Sequence, residues 1–230
     1  MPVYRLNLHT VFPPASLAEP DSGLLAVGGD LSRERLLKAY AEGIFPWYSP
    51  GDPILWWSPD PRAVLFPDEF HLSRRNRRYL KKSGFKLTRD RVFARVIRAC
   101  AATPRRHEKG TWITPEMEAA YLDLFEAGFA HSFETWLEGR LVGGLYGVSL
   151  GRCFFGESMF STADHASKAA LADLVAFCRG HNFHFIDNQF LTPHLAAFGV
   201  REIPRREYLR RLEKALGKPT LRGRWSDLSV

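Results

Sequence analysis

Two short runs of the sequence set ionisable or polar groups among apolar neighbours, the setting in which side chains do chemistry. In Phe154–Ser161, FFGESMFS, Glu157 interrupts an aromatic and apolar strand end. A carboxylate partly buried there needs a partner or a raised pKa, and a salt bridge to an arginine of the same domain is the alternative to a functional role. In Phe185–Phe190, FIDNQF, Asp187 and Gln189 leave a buried strand on alternate residues and so face the same side. An acid and an amide directed together into a crevice suit the positioning of an amine. The competing reading is that Asp187, Asn188 and Thr192 form only a turn and a helix cap.

Other routes to catalysis find little support. There is no GxxxxGK[ST] phosphate loop and no HExxH, and Ser149, Ser158 and Ser161 lie outside any GxSxG. His181 and His184 are three apart, but FHF at 183–185 reads as a strand, which sends the pair to opposite faces. Cys100, Cys153 and Cys178 show no CxxC spacing, so no disulfide framework or zinc knuckle is expected and each reads as a small buried apolar residue. Covalent nucleophilic catalysis and metal hydrolysis are therefore weak readings.

Regular elements must hold these groups in place. Six aromatic residues, Tyr40, Phe45, Trp47, Tyr48, Trp56 and Trp57, crowd the stretch 40–57, with prolines at 46, 50, 53, 59 and 61. The prolines forbid a regular helix or central strand, which leaves a rigid aromatic loop. A short helix precedes it, capped by Ser32, striped by Leu36, Leu37 and Tyr40, and stopped at Gly43. Residues 1–61 thus read as a small N-terminal domain and 62–230 as a second. In the second, a strand over 63–66 leads to a helix over 73–82 whose exposed face carries Arg74, Arg75, Arg77, Arg78, Lys81 and Lys82. Thr88 is expected to cap the next helix, with Val92, Phe93, Val96, Ile97 and Cys100 inward. Thr114 and Pro115 open a third, which Gly128 ends. Runs at 130–137, 140–149 and 152–158, joined by turns at Glu138-Gly139 and Leu150-Gly151, read as an antiparallel meander. Asp164 then caps a helix to about 179, and 183–186 is a buried strand. Thr192 and Pro193 open a helix to Gly199, 200–203 is a last strand, and Pro204 starts a basic helix over 205–216. That order makes an α+β domain.

The chain has 230 residues, 45% apolar and 25% charged, in the range of an ordinary soluble globular protein. No apolar run approaches the ~20 residues of a membrane span and Met1–Thr10 lacks a signal-peptide pattern, so a cytoplasmic location is expected. The net charge of +7 hides a segregation: −3 over 1–61, +11 over 62–110, −6 over 111–200 and +5 over 201–230. The basic flanks suit a polyanion and the acidic middle a cation. Chance basicity of exposed helices is the rival explanation.

Longer blocks are more specific. GLLAVGGDLS (23–32), GIFPWYSPGDPILWWSPDPRAVL (43–65), GTWIT (110–114), LVGGLYGV (141–148), GESMFS (156–161), ASK (166–168) and EIPRREYL (202–209) resemble the leucyl/phenylalanyl-tRNA–protein transferase family. The blocks follow in order over most of the chain. The resemblance implies an enzyme that moves Leu or Phe from Leu-tRNA or Phe-tRNA to the α-amine of proteins beginning with Arg or Lys, marking them for degradation. It also implies a small N-terminal domain joined to a GNAT-like acyltransferase domain, built on a mainly antiparallel mixed sheet flanked by helices. No cofactor or metal is implied, and a monomer is expected.

Roles follow from that reaction. The aminoacyl ester is already activated, and an α-amine of pKa about 7.7–8.0 needs orientation and mild proton handling rather than a strong base. Asp187 is the candidate for attracting and deprotonating the amine, with Gln189 placing it or the ester carbonyl. The tRNA's own terminal hydroxyl is the alternative proton shuttle. The family pattern puts the aminoacyl pocket at Leu145, Phe154, Met159, Leu171 and Ile186, for which plain core is the rival. Leu145 stands where a family relative carries methionine, a swap that nearly conserves volume. Trp47 is the favoured platform for the terminal adenine, with Trp112 and Tyr40 as further walls, although core packing competes for Tyr40. Glu157 would meet the Arg or Lys side chain of the acceptor. The helix bearing Arg74, Arg75, Arg77, Arg78, Lys81 and Lys82 would track phosphates without reading sequence.

Two rivals remain. A GNAT-type N-acetyltransferase using acetyl-CoA would want a glycine-rich turn for the pyrophosphate, but Phe160–Ala170, FSTADHASKAA, has no glycine. A non-catalytic RNA-binding module would have no use for Asp187, Gln189 and Glu157 converging beside an apolar pocket.

Overall fold

The computed structural model describes residues 3–7, 11–103 and 111–228. Strands β1 (Tyr4–Leu6) and β2 (Leu24–Gly28), helix α1 (Arg33–Ala41), and strands β3 (Phe45–Pro46) and β4 (Leu55–Trp57) come first. Their strands form a sheet in the order β1-β2-β4-β3. Ser32 caps α1 by accepting from the Arg35 N–H, and Gly43 turns the chain out of it at φ +75°. Pro46 lies in β3, the edge strand, where its missing N–H does no harm.

The remaining elements are β5 (Arg62–Leu65), α2 (Arg74–Lys82), β6 (Lys86–Arg89), α3 (Phe93–Ala101), α4 (Pro115–Glu126), β7 (Ala130–Leu137), β8 (Arg140–Leu150), β9 (Cys153–Ser161), α5 (Ala166–Gly180), β10 (Phe185–Gln189), α6 (Pro193–Ala196), β11 (Arg201–Ile203) and α7 (Arg205–Leu216). Their seven strands order as β11-β5-β10-β9-β8-β7-β6, and every pairing in this sheet is antiparallel except β9 with β10. The architecture is α+β, as the element order predicts.

Four local expectations need correction. The stretch 40–57 is not a loop throughout: Leu55–Trp57 is an inner strand paired with both β2 and β3, since the prolines flank it and none falls within it. Thr88 caps no helix: it lies in β6, opposite Glu134 of β7, and accepts from the Trp136 indole at 2.7 Å. The residue that precedes α5 is His165 in the left-handed region, not Asp164. Helix α6 ends at Ala196, three residues short of the expected Gly199, because the Phe198 and Gly199 N–H groups donate back three residues, to the Leu195 and Ala196 carbonyls at 3.0 Å, and tighten the last turn.

The core lies on both faces of the long sheet. One cluster joins Leu145, Phe154 and Ile186 to α5 and Trp225. The other joins Tyr146, Val148 and Phe155 to α3, α4 and α7, and runs without a break into Leu36 and Tyr40 of α1 and Trp56 of the N-terminal sheet. The two sheets therefore share apolar packing.

Two β-bulges face each other at the centre. Tyr146 pairs with Ser158 and Gly147 with Gly156, so Glu157 is the extra residue of β9. Asp187 pairs with Val64 and Gln189 with Ala63, so Asn188 is the extra residue of β10. The parallel pairing of β9 and β10 stops at Phe155 and Asp187, and beyond it the strands part. Gly147 is what allows β9 so close: a Cβ there would lie 2.1 Å from the Phe155 carbonyl oxygen and 2.6 Å from the Phe154 ring. Gly147→Ala is expected to cost about 1–3 kcal/mol by overpacking, measured as a lower midpoint in urea at unchanged m-value.

Candidate active site

Where β9 and β10 part, a cavity of about 350 Å³ opens. Leu145, Met159, Leu171, Leu174, Ile186 and Leu195 make its apolar walls, and Glu157, Ser158, Asn188, Gln189, Thr192 and His194 its polar ones. The walls come from β8, β9, α5, β10 and α6, so the splay of the sheet is also the source of the cavity. Among the described residues the Gln189 Nε2 and Asn188 Oδ1 atoms are buried there without a hydrogen-bond partner. Buried polar atoms left open beside a cavity are the natural places for a ligand's own donors and acceptors.

Glu157 is partly buried on the cavity wall, and its partners are hydroxyls rather than an arginine. Tyr40 of α1 donates to Oε1 at 2.7 Å and Tyr121 of α4 donates to Oε2 at 2.8 Å. The two phenol oxygens also meet at 2.5 Å. Burial pushes the Glu157 carboxyl up to about 7, against the two phenol bonds, which favour the ionised form; the Asp187 charge adds to the rise and Arg62 opposes it. Burial, followed by the charge of Glu157, lifts both phenols well above their ordinary range.

Asp187 does not border the cavity, which corrects the expectation that it would face a crevice with Gln189. The Asn188 bulge breaks the alternation on which that expectation rests. Asp187 is fully buried; Arg62 of β5 donates from Nε to Oδ1 at 2.8 Å and from Nη2 to Oδ2 at 2.7 Å. The Tyr208 hydroxyl of α7 donates to Oδ2 at 2.9 Å, and the Gln189 N–H donates to Oδ1 at 3.0 Å. A carboxylate has about four lone-pair sites, and all are taken. Arg62 lies between the Phe45 and Tyr208 rings, 4.7 and 4.6 Å from their centroids, and also donates to the Gly43 carbonyl at 3.2 Å. This buried pair ties the N-terminal sheet, β5, β10 and α7 together. Its effect on the cavity passes through Gln189, whose φ of +58° is a left-handed conformation that the Asp187 bond holds.

Of the expected pocket residues, Leu145, Met159, Leu171 and Ile186 line the cavity. Phe154 does not: it is wholly buried against the Phe133 and Trp225 rings. Among the expected adenine walls, Tyr40 is wholly buried beneath Glu157 and offers no ring face, and Trp112 is 7% exposed within the core. Trp47 keeps partial exposure and packs against Phe190, a 38% exposed ring 5.6 Å away that follows Gln189 directly. All six cationic residues of α2 are exposed, and Arg74, Arg77, Arg78, Lys81 and Lys82 line one surface cleft from which Arg75 is absent. Among the described residues none of the six pairs with a carboxylate.

The acidic middle of the sequence is mostly neutralised in the fold. Glu118, Asp123, Glu126, Asp173 and Asp187 pair with Arg98, Arg33, Arg224, Arg89 and Arg62, all outside the segment. The segment charge therefore describes intramolecular pairing rather than a surface for a cation.

Sequence reasoning missed Tyr121, Arg62, Tyr208, Asn188 and Phe190. Arg62 and Tyr208 do lie inside two of the family blocks, DPRAVL and EIPRREYL, which is a signal for position but not for contact. Among the described residues no group of three or more His, Cys, Asp or Glu is arranged to hold a metal ion, and no helix is long and apolar enough to cross a membrane.

Among solved structures the chain is similar to L-PGS from Bacillus licheniformis, at 14% identity over 87% of this chain and 66% of that one with a TM-score of 0.40. It is also similar to an aminoglycoside acetyltransferase from an uncultured soil metagenomic sample, at 16% identity over 50% and 84% with a TM-score of 0.38. The family model described as leucyl/phenylalanyl-tRNA protein transferase matches residues 64–213, and that of its N-terminal domain residues 29–60. Curated proteins named leucyl/phenylalanyl-tRNA–protein transferase from Desulfatibacillum aliphaticivorans and Syntrophus aciditrophicus are both 58% identical over 226 residues, covering 98% of this chain and 97% and 94% of theirs. One from Myxococcus xanthus is 53% identical over 229 residues, covering 99% of this chain and 97% of its own. With such identity along nearly its whole length, the chain belongs to the leucyl/phenylalanyl-tRNA–protein transferase family and is an aminoacyltransferase.

Proposed function

We propose that the chain transfers Leu or Phe from Leu-tRNA or Phe-tRNA to the α-amino group of proteins that begin with Arg or Lys, forming a peptide bond and a new N-terminus that marks them for degradation. The observation that carries this reading is the apolar cavity with Glu157, Asn188 and Gln189 on its polar side, where β9 and β10 part. The Leu or Phe side chain fills the apolar walls, which is worth ~1.5–3 kcal/mol and separates Leu or Phe from Ala better than from close homologues. The open Gln189 Nε2 is the donor for the ester carbonyl. Asp187 is a positioning residue that holds Gln189. Glu157 faces the cationic acceptor, Trp47 stacks the terminal adenine, and the α2 face carries the phosphates. The enzyme works as a monomer in the cytoplasm, without metal or cofactor, and is built of two domains at 1–61 and 62–230.

The test mixes purified protein, labelled Leu-tRNA and a peptide beginning with Arg. Label on the peptide's α-amine is the expected result; no transfer, alongside acetylation from acetyl-CoA, overturns the reading. Leu145→Ala deepens the cavity and is expected to raise the Phe over Leu ratio of kcat/KM about tenfold, measured with the two charged tRNAs in competition.

A further inference from the structure

We infer that the side chains of Lys168 and His165 bind a phosphodiester of the donor's single-stranded 3′ end, and so lead the nucleic acid from the rim of the cavity to the cationic face of α2. The inference deepens the reading above and rests on it, since the donor is taken to be an aminoacyl-tRNA.

The block ASK at 166–168 belongs to the family resemblance, yet none of its residues has a part in the site described so far. Packing explains two of the three. Ala166 lies against β8, where a Cβ on Gly143 would come within 2.6 Å of the Ala166 Cβ, and Ser167 donates its N–H to Ser161 Oγ at 3.1 Å. The Ala166 carbonyl also accepts from Thr135 Oγ1 at 2.9 Å. The first turn of α5 is thus fixed to β7, β8 and β9, and Lys168 is held with it.

Among the described residues Lys168 pairs with no carboxylate. Its ammonium donates instead to His165 Nδ1 at 2.9 Å. Accepting there puts the imidazole proton on Nε2, so the two side chains together offer donors and no acceptor. Lost hydration, and then the Lys168 charge, depress the imidazole pKa; Arg75 adds to the fall and Asp164 opposes it. His165 takes up this position at φ +64°, a left-handed conformation that non-glycine residues seldom adopt and that persists where the surroundings enforce it.

Neighbours on either side fix where the pair leads. Toward the cavity, Leu171 follows Lys168 by three residues on the same face of α5, ~4.5 Å further along the helix, and lines the apolar wall. His194 lies on that wall too, and burial followed by the Lys168 charge depresses its imidazole. Toward α2, the Tyr79 ring packs on His165 with centroids 4.3 Å apart. Arg75 precedes Tyr79 by four residues and shares its face, and its charge reaches His165. That orientation explains why Arg75 is absent from the cleft that the other five cations of α2 line. Donors without acceptors, set between an aminoacyl pocket and a cationic helix, match the phosphate that leads a charged 3′ end out of the cavity.

The test compares two short donors, leucyl-adenosine with a 5′-phosphate and the same compound without it, each with a peptide that begins with Arg. The wild type is expected to favour the phosphorylated donor about tenfold in kcat/KM, and Lys168→Ala to bring that ratio down to about one, the loss of one charge-assisted hydrogen bond. Lys168→Arg keeps the cation and should restore most of the preference. A purely structural role would slow both donors equally and leave the ratio unchanged, a result that overturns the inference. A wild type that does not distinguish the two donors overturns it as well. With whole Leu-tRNA, Lys168→Ala should make the slope of log K against log salt shallower by about 0.7, the share of one single-strand phosphate. If neither short donor reacts, that slope decides, and an unaltered one overturns the inference. Failure of the wild type to transfer from Leu-tRNA at all would instead sink the proposed reaction.

Discussion

Asp187→Ala is expected to lower the free energy of unfolding by about 3–5 kcal/mol, because it leaves the Arg62 guanidinium charged, buried and without its carboxylate. Burial alone would favour a neutral guanidine, but an arginine does not deprotonate in a protein, so the uncompensated charge must be endured or hydrated. The measurement is a urea or thermal denaturation series, where 3–5 kcal/mol in a chain of this size lowers the melting temperature by roughly 6–20 °C. Removing both partners, as Arg62→Met with Asp187→Leu, should be milder than either single change. Activity should fall with the single substitution as well, since the bond that holds the left-handed Gln189 is lost. The outcome that would sink this account is Asp187→Ala with wild-type stability and no activity. That pair of results would return Asp187 to the chemistry itself.

Replacing Arg74, Arg77, Arg78 and Lys81 together by Ala is expected to weaken aminoacyl-tRNA binding about tenfold or more, and to make the slope of log K against log salt shallower by about three. The helix should survive, because Ala is the best helix former and like charges at i,i+3 and i,i+4 are removed. Loss of binding could not then be assigned to unfolding, which circular dichroism would check. Because α2 buries no residue, its cations contribute little to the core. The acceptor peptide's KM should be unchanged. An unaltered salt slope would show that the phosphates run over another surface.

Much of the framework can be read from local signals. Ser32, Ser73 and Thr114 cap the helices that they precede, each by accepting a backbone N–H in the first turn, and the Glu138-Gly139 turn joins β7 to β8. Those signals lie within a few residues of what they control. The site is different, because its geometry depends on departures from regularity. A period of two predicts that Asp187 and Gln189 share a face; one bulged residue, Asn188, sends them apart. Glu157 is likewise a bulge, which no alternation predicts. Tyr40 sits on the apolar stripe of α1 as expected, yet its hydroxyl serves a carboxylate 117 positions on. Phe154 belongs to an apolar strand that flanks the cavity, and composition cannot tell a residue that lines a void from one that packs behind it. The segment charges mislead for a related reason, since the arginines that neutralise the acidic middle come from far along the chain.

The Arg62–Asp187 pair also sets a schedule. Its members are 125 residues apart, and Tyr208, which completes the cluster, lies 146 residues beyond Arg62. At ~5–20 residues per second of synthesis, the arginine waits on the order of 6–25 s for its carboxylate. Through that interval the N-terminal sheet has neither the ion pair nor α7 to hold it, and Gln189 does not yet exist. A catalyst assembled last cannot act while its own chain is being made. The cluster behind the cavity is therefore complete only once α7 has been made.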